Sequence, residues 1–454
     1  MYRNALFLMG AFCLTTAESS EAAQQYGNAF IDDGKLKLTN KNFFFHRDFR
    51  NGSSNAAGTN ATKPVADRNG YAEEWAQGFL LDYQSGFTPG LLGFGIDAQG
   101  ILGLKLNSGG GTTGLRLLPD NSDGKPEDSY SRAGGALKLR LSKSTLKYGQ
   151  QMPMTPVLAV NTVRLFPSLA TGLQLNVNEF DKLSLEAGHF TRQTGVDSSN
   201  NDDRFTTDYA LKRNGKAITY DSASFMGGRY QNGDLSLSLY AGQLEDAWHQ
   251  YYGNAKYTYP IDQGRRLTFD LNAYRTLDYG KSLAGPINNT SWSLSSAYTS
   301  GAHTVSLIHQ QINGDEPLDW IGFGTMGGTV TIGNAVQYAT FSEANERSWQ
   351  LRYDVNFAAF GIPGLTVMAR YVRGDNMDNS HSNNPFYTAR YVYDSEKDNK
   401  HWERDFDIRY VIQSGPASGL SIRLRQATHR ATTGYRYVDI DELRLITELP
   451  IDLF

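Results

Sequence analysis

The sequence predicts an all-β fold: a transmembrane antiparallel β-barrel of about 18 strands, with one loop folded inward as a constriction. Alternation is the first reason. In the closing stretch "DELRLITELPIDLF", Leu443, Leu445, Thr447, Leu449, Ile451 and Leu453 fall on one face, and Glu442, Arg444, Glu448 and Asp452 on the other. That is the two-residue period of a strand. The second reason is that the polar faces carry full charges, not merely Ser and Thr. The third is that nothing follows the last strand to cover its apolar side. Closing it onto the first strand removes both sheet edges and leaves lipid to cover that side.

The elements follow in order. Arg3 and the apolar stretch "ALFLMGAFCLTTA" read as an export signal, with a small-x-small cleavage site after Ala22. Residues 1–22 are therefore expected to be a signal peptide and residues 23–454 one barrel domain. The single cysteine, Cys13, lies in the signal, so the exported chain has neither disulfides nor thiolate chemistry. In "GALKLRLSK", Leu137, Leu139 and Leu141 point outward while Lys138 and Arg140 point inward. "GDLSLSLYAG" aligns Leu235, Leu237, Leu239 and Ala241. "WHQYYGNAKYTYP" supplies Tyr and Trp near strand ends, where interfacial girdles belong. "RRLTFDLNAYRT" sets Leu267, Phe269, Leu271 and Ala273 against Thr268, Asp270 and Asn272. "RSWQLRYDVNFA" sets Trp349, Leu351, Tyr353, Val355 and Phe357 against Gln350, Arg352, Asp354 and Asn356. Turn-formers such as "DSSNNDD", "GDNMDNSHSNNP" and "SGPASG" separate the strands. Phe454 is one residue out of phase with the closing leucines, which leaves open whether a bulge brings it round.

Composition agrees with this reading. Only 40% of residues are hydrophobic and mean hydropathy is −0.46, as expected when apolar residues alternate with polar ones. Outside the N-terminus no run of 18 apolar residues offers a helical span. A formal net charge of −4 gives no general attraction to nucleic acid. Removing 22 residues from 454 leaves 432; at ~24 residues per strand with its share of loops, that is ~18 strands. A barrel of that size leaves an aqueous lumen.

If apolar residues face lipid, the cations between them face that lumen. Lys37, Lys41 and Arg47 lie near the start of the chain, and Arg370, Arg409, Arg423 and Arg425 near its end, with Asp82, Asp354, Asp405 and Asp407 as counter-charges. First and last strands are neighbours in a closed barrel, so these cations, with Lys138 and Arg140, could share one wall. One reading is that a lumen merely needs polar residues. The other is a basic row that guides a carboxylate, since guanidinium binds carboxylate bidentately and stays charged. The stretch "YGQQMPMTPVLAVNTVRLFPSLATG" is too long and apolar for an exposed loop. Folded into the barrel it becomes a constriction, with Arg164 either at the narrowest point or pinning the loop to the wall.

Over nearly the whole mature chain the sequence resembles the OprD family of substrate-specific outer-membrane porins. The matching stretches are "DSYSRAGGALKLRLSK", "RLFPSLATG", "LEAGHFT", "GDEPLDWIGFG", "PGLTVMARYVRG" and "RYVIQSGPASGLSIRLRQATHRA". The resemblance implies an 18-stranded monomeric barrel, a constricting loop after the third hairpin, a basic ladder for a carboxylate and an opposing acidic pocket. It carries Arg47, Arg164, Arg370, Arg409, Arg423 and Arg425 over to the basic side and Asp315 of "GDEP" to the acidic side. Family members selective for basic amino acids carry a further acid later in that loop. Here "TMGGTVTIGNAVQYATF" has none before Glu343, which argues against strong lysine or arginine selectivity. "NAAGTNATKPVADRNG" is long for a first extracellular loop.

Other signals are weaker. "GFGTMG" fits a dinucleotide fingerprint, but the Gly-rich, β-like "GTVTIGNAVQY" follows it where a helix is required. The eight histidines show no metal-type spacing, and no nucleophile-elbow motif supports a hydrolase. The expectation is a Gram-negative outer-membrane channel with no enzymatic activity and no cofactor. It would pass small carboxylate-containing solutes: amino acids, small peptides and carbapenem-like antibiotics. It would contact outer-membrane lipid and lipopolysaccharide, bind no nucleic acid, and act as a monomer or weak trimer. The alternatives are a porin for aromatic acids or neutral sugars, a barrel-type hydrolase, and a secreted soluble β-protein.

Overall fold

The computed structural model describes residues 29–210, 212–213, 216–388, 398–432 and 438–454; the expected signal, residues 1–22, lies outside them. Eighteen strands form one sheet. They are β1 (Lys35–Phe49), β2 (Tyr71–Gln84), β3 (Leu92–Asn107), β4 (Ser129–Leu141), β5 (Ser144–Gln151) and β6 (Leu169–Phe180). Then come β7 (Leu183–Thr194), β8 (Ala223–Asn232), β9 (Leu235–Leu244), β10 (Trp248–Pro260), β11 (Arg265–Asp278) and β12 (Asn288–Ser300). The last are β13 (His303–Asn313), β14 (Arg347–Asn356), β15 (Leu365–Asp375), β16 (Lys400–Val411), β17 (Ser421–Ala431) and β18 (Ile440–Asp452). Every strand pairs antiparallel with its sequence neighbours, and β18 pairs with β1 from Lys37↔Asp452 to Phe49↔Ile440. The sheet is closed, so no strand edge is left for another chain. Past the last paired residue Phe454 is exposed, its ring 6.3 Å from Tyr83 of β2.

Short turns, such as 142–143, 181–182, 233–234 and 301–302, lie at one end with the start of β1 and the end of β18. The long connections 50–70, 108–128, 152–168 and 314–346 lie at the other, with the described parts of 195–222 and 376–399. The expected faces hold. Leu137, Leu239 and Leu351 are 64%, 73% and 58% exposed, whereas the residues between them turn inward. Tyr251, Tyr257 and Tyr259 of β10 lie outward toward the two ends of that strand. Trp248 and Tyr252 of the same stretch do not join the girdle; they are buried inside the barrel.

The lumen is partly filled by loops. The expected inward loop, 152–168, joins β5 and β6, within the third hairpin and not after it. Its Val157, Leu158 and Val160 pack with Tyr240, Tyr274 and Val330, while Leu165 and Phe166 pack on Phe43, Phe45 and Leu117. Removing Leu165 and Phe166 from lumen water contributes about 1.5–3 kcal/mol each. Loops 108–128 and 314–346 also fold inward, which the sequence reading did not foresee. Loop 314–346 is stitched to 152–168 by Asn161 Nδ2 to the Gly327 carbonyl (2.8 Å), Thr329 N to the Ala159 carbonyl (3.1 Å) and Thr329 Oγ1 to the Val160 carbonyl (2.9 Å). "GFGTMG" belongs to this loop. Ile321–Phe323 pairs with Met326–Gly327 around Gly324 at φ +74°, so it is a tight hairpin and not a strand-to-helix phosphate turn.

Charge should therefore be tolerated on one face and not on the other. Leu351→Arg places a cation in lipid and should cost about 2–4 kcal/mol near the bilayer midplane. Thr366→Arg, on the lumenal side where Thr366 lines an open cavity, should leave assembly unchanged. Barrel yield on an unboiled detergent gel reads both. Equal yields would reverse the face assignment.

Candidate functional site

Inward cations lie on six adjacent strands: Arg352 on β14, Arg370 on β15, Arg409 on β16, Arg423 and Arg425 on β17, Arg444 on β18, and Lys41 and Arg47 on β1. The register sets three pairs directly opposite one another, Arg352↔Arg370, Arg409↔Arg423 and Arg425↔Arg444. Like charges in that position repel. Acids between them offset the repulsion. Asp354 takes two bonds from Arg352 (2.7 and 2.8 Å), Asp405 pairs with Arg370 (2.6 Å), and Asp407 pairs with Arg423 (2.5 Å) and Arg425 (3.0 Å). Glu442 bridges Arg47 (2.8 Å) and Arg444 (2.5 Å). Arg409 bonds only the Ser421 hydroxyl (2.9 Å) among the described residues. The row descends from Arg47 and Arg444 through Arg425 and Arg423 to Arg409 near the short-turn end. There a cavity of about 550 Å³ is lined by Arg266, Arg352, Arg370, Arg409, Arg423 and Arg425 against only Asp354 and Asp407.

The inward loops define the upper, narrower part. Arg47 lies 4.9 Å from the Tyr338 ring of loop 314–346, and Arg47, Arg164 and Arg444 lie 5.4, 5.5 and 4.5 Å from the buried Phe45 ring. A buried backbone N–H needs a partner, and wall carboxylates supply several. Glu74 of β2 accepts from the amides of Gly114, Leu115, Leu117 and Leu118 at 2.7–3.2 Å and so anchors loop 108–128. Glu403 of β16 accepts from the amides of Tyr338 and Ala339, both at 2.8 Å. Glu346, at the foot of the same loop, continues a buried chain: Oε1 to His401 Nε2 (2.6 Å), His401 Nδ1 to His429 Nε2 (2.8 Å), His429 Nδ1 to the Val438 carbonyl (3.0 Å). Burial raises the Glu346 carboxyl well above the usual range. Asp319 ties three loops together through the amides of Asp208, Tyr209 and Trp320 and the Tyr387 hydroxyl. Burial, then the nearby Asp208, pushes Asp319 up to about 6.

The expected residues separate into groups. Arg47, Arg370, Arg409, Arg423 and Arg425 do share one wall, but Arg370 is held against the buried Asp405 and Arg47 against Glu442. Arg164 meets both of its readings. Its guanidinium faces Phe45 beside the row, while Nε donates to the Leu115 carbonyl (2.7 Å) and so pins two loops together. Burial first, then Arg444 and Arg47, lowers its pKa below the ordinary guanidinium value. Lys138 and Arg140 do not join that wall: they lie on β4, separated from β1 by β2 and β3. Lys138 bonds Asp97 (2.8 Å) and the Ser85 carbonyl (2.7 Å), and Arg140 covers the Phe87 ring (4.7 Å). Asp315 lies apart from the row. It sits at the root of loop 314–346 bonded to Asn345 (3.2 Å), and the acids that face the row come from the wall itself. Arg444 and Arg352 were visible on polar strand faces but had not been assigned a role.

A closed barrel with an apolar belt, a lumen narrowed by inward loops and a charged wall is an outer-membrane diffusion channel, a porin and not an enzyme. The chain belongs to the OprD family of outer membrane porins, whose sequence pattern matches residues 28–453. It is 44% identical to "Porin D" of Pseudomonas aeruginosa over 449 residues, covering 97% of this chain and 96% of that protein. Its fold is similar to the crystal structure of Pseudomonas aeruginosa OprD, with a TM-score of 0.79 and 43% identity over 97% of this chain and all of that one. It is also similar to Pseudomonas aeruginosa OpdK with vanillate, with a TM-score of 0.79 and 32% identity over 93% of this chain and all of that one.

If Glu74 holds loop 108–128, Glu74→Gln turns an amide donor toward amides that need an acceptor. This should destabilise the barrel by about 1–3 kcal/mol and expose the loop to protease. Denaturant midpoint and cleavage within 108–128 are the readouts. Unaltered cleavage would mean that apolar packing alone holds the loop.

Proposed function

We propose that this porin passes small carboxylate-containing solutes by facilitated diffusion: amino acids, small peptides and molecules of carbapenem type. The observation that carries the reading is the lower cavity, where six arginines face two aspartates. Guanidinium pairs with carboxylate bidentately and lowers the cost of stripping its water. The acids interleaved with the row keep each site shallow. That favours release, because a conducting pore needs binding weak enough to let the solute leave. The lumen is complete within one chain and the barrel has no free edge, which favours a monomer or a weak trimer in the lipid and lipopolysaccharide of the outer membrane.

Aromatic acids are a second reading, favoured by the likeness to OpdK with vanillate; their carboxylate would use the same row. Neutral sugars are less well served by walls of arginine.

The test compares uptake into liposomes with single-channel conductance. Arg164→Ala should raise conductance and weaken the preference for an amino acid over a neutral sugar of similar size. Arg423→Ala with Arg425→Ala should slow carboxylate uptake with a smaller change in conductance, and the effect should fade in high salt as lumen water is screened. If Arg164→Ala leaves both quantities unchanged, Arg164 is a loop anchor alone. If the double variant leaves carboxylate uptake unchanged, the row does not select the solute.

A further inference from the structure

The outer face of the barrel also carries a cluster of cations at the long-loop rim, densest on one sector. On β10 to β13 the outward residues at that level are His249, Arg275, Thr290 and Gln311, with one arginine among the four strands. On β14 to β17 they are Arg347, Arg373, Lys400 and Arg430, with Arg404 one pleat lower. Outward orientation follows from the faces these residues share. Arg347 alternates with exposed Trp349 and Leu351, Arg373 follows exposed Tyr371, and Arg404 precedes exposed Phe406 and Ile408. The register interleaves them with rings, since Arg373 stands opposite Trp402, Trp402 opposite Arg430, and Arg404 opposite Tyr371.

Together they make a surface groove of about 420 Å³ lined by Tyr371, Arg373, Lys400, Trp402, Arg430 and Thr432. Tyr371 and Trp402 stack at 5.8 Å with 30° between their planes. Counter-charges are fewer than cations. Asp375 lies 3.5 Å from Arg347, Asp398 2.9 Å from Lys400 and Asp441 3.0 Å from Arg430. Among the described residues Arg373 and Arg404 have no carboxylate within ion-pair distance. The Arg404 guanidinium lies 5.5 Å from the centre of the Phe406 ring and 3.5 Å from the Thr428 hydroxyl, at the lower edge of the groove.

This groove opens toward lipid and not toward the lumen. Cations directly above an aromatic belt meet the headgroup layer, where phosphate is the matching anion and arginine its bidentate partner. We propose that the groove binds the phosphorylated headgroup of an outer-leaflet glycolipid, of the lipid A type. Arg373, Lys400, Arg404 and Arg430 hold a phosphate, Tyr371 and Trp402 lie under the sugar, and the acyl chains run down over Phe406 and Ile408. The inference rests on the outer-membrane placement of the barrel and is independent of the solute that the lumen passes.

Native mass spectrometry of the purified full chain in detergent tests it, with bis-phosphorylated lipid A as the probe. The barrel should retain one such lipid and hold dephosphorylated lipid A and phosphatidylglycerol at least tenfold more weakly. Millimolar inorganic phosphate should not displace it. The combined variant Arg373→Ser, Lys400→Ser, Arg404→Ser should lose at least tenfold in retention, while the charge-preserving Arg373→Lys with Arg404→Lys keeps most of it. Heat-modifiable gel mobility and unchanged conductance certify folding. Should the triple variant fail to assemble, Arg373→Ser and Arg404→Ser singly decide. Equal retention by the serine variants, equal binding of dephosphorylated lipid or phosphatidylglycerol, or displacement by inorganic phosphate would each overturn the proposal.

Discussion

A backbone amide inside a membrane has no water to pair with, and this constraint organises the whole molecule. The barrel meets it first by closure, when β18 pairs with β1 along thirteen residue pairs. Closure fixes which residues face lipid and which face the lumen. The constraint then returns inside, because loops that leave bulk water bring unpaired amides with them. Carboxylates on the wall meet it a second time. Glu74 and Glu403 act as fixed acceptors for loop amides, and Asp319 does the same among the loops themselves.

Charge in this lumen thus has two uses, and they compete for the same wall. Glu403, Asp405 and Glu442 sit beside the row that contains Arg370, Arg444 and Arg47. Acids that hold loops or arginines in place also reduce the positive potential available to a solute. The row is strongest where no loop needs anchoring, around Arg409 and Arg423 near the short-turn end. In the upper part a solute meets guanidinium groups already paired with Glu442 and stacked on Phe45.

Much of the architecture was legible in the sequence, because a closed barrel writes a two-residue period into every strand. Leu351 and Leu443 announce lipid as plainly as Arg425 announces the lumen. Loop 152–168 was legible for a related reason: it is long, apolar and carries one charge, Arg164. Loop 314–346 has a similar uncharged stretch, with no charged residue between Asp319 and Glu343, but its inward course was missed. The partners of each cation were not legible. Alternation shows that Lys138 faces inward, yet only register and strand order show that it meets Asp97 on another wall. The place of Asp315 was not legible for a similar reason, since a loop residue's position follows from where the loop is tied, and those ties are buried carboxylates far away in sequence.

The central claim is that the arginine row, and not the width of the pore, selects the solute. The most direct measurement is the flux through reconstituted barrels of lactate relative to lactamide, which are nearly equal in size and differ in charge. Lactate should pass faster, and Arg409→Gln with Arg423→Gln should remove the difference while the flux of lactamide stays the same. If lactamide passes as fast as lactate in the unaltered barrel, the row does not govern passage and the account is wrong.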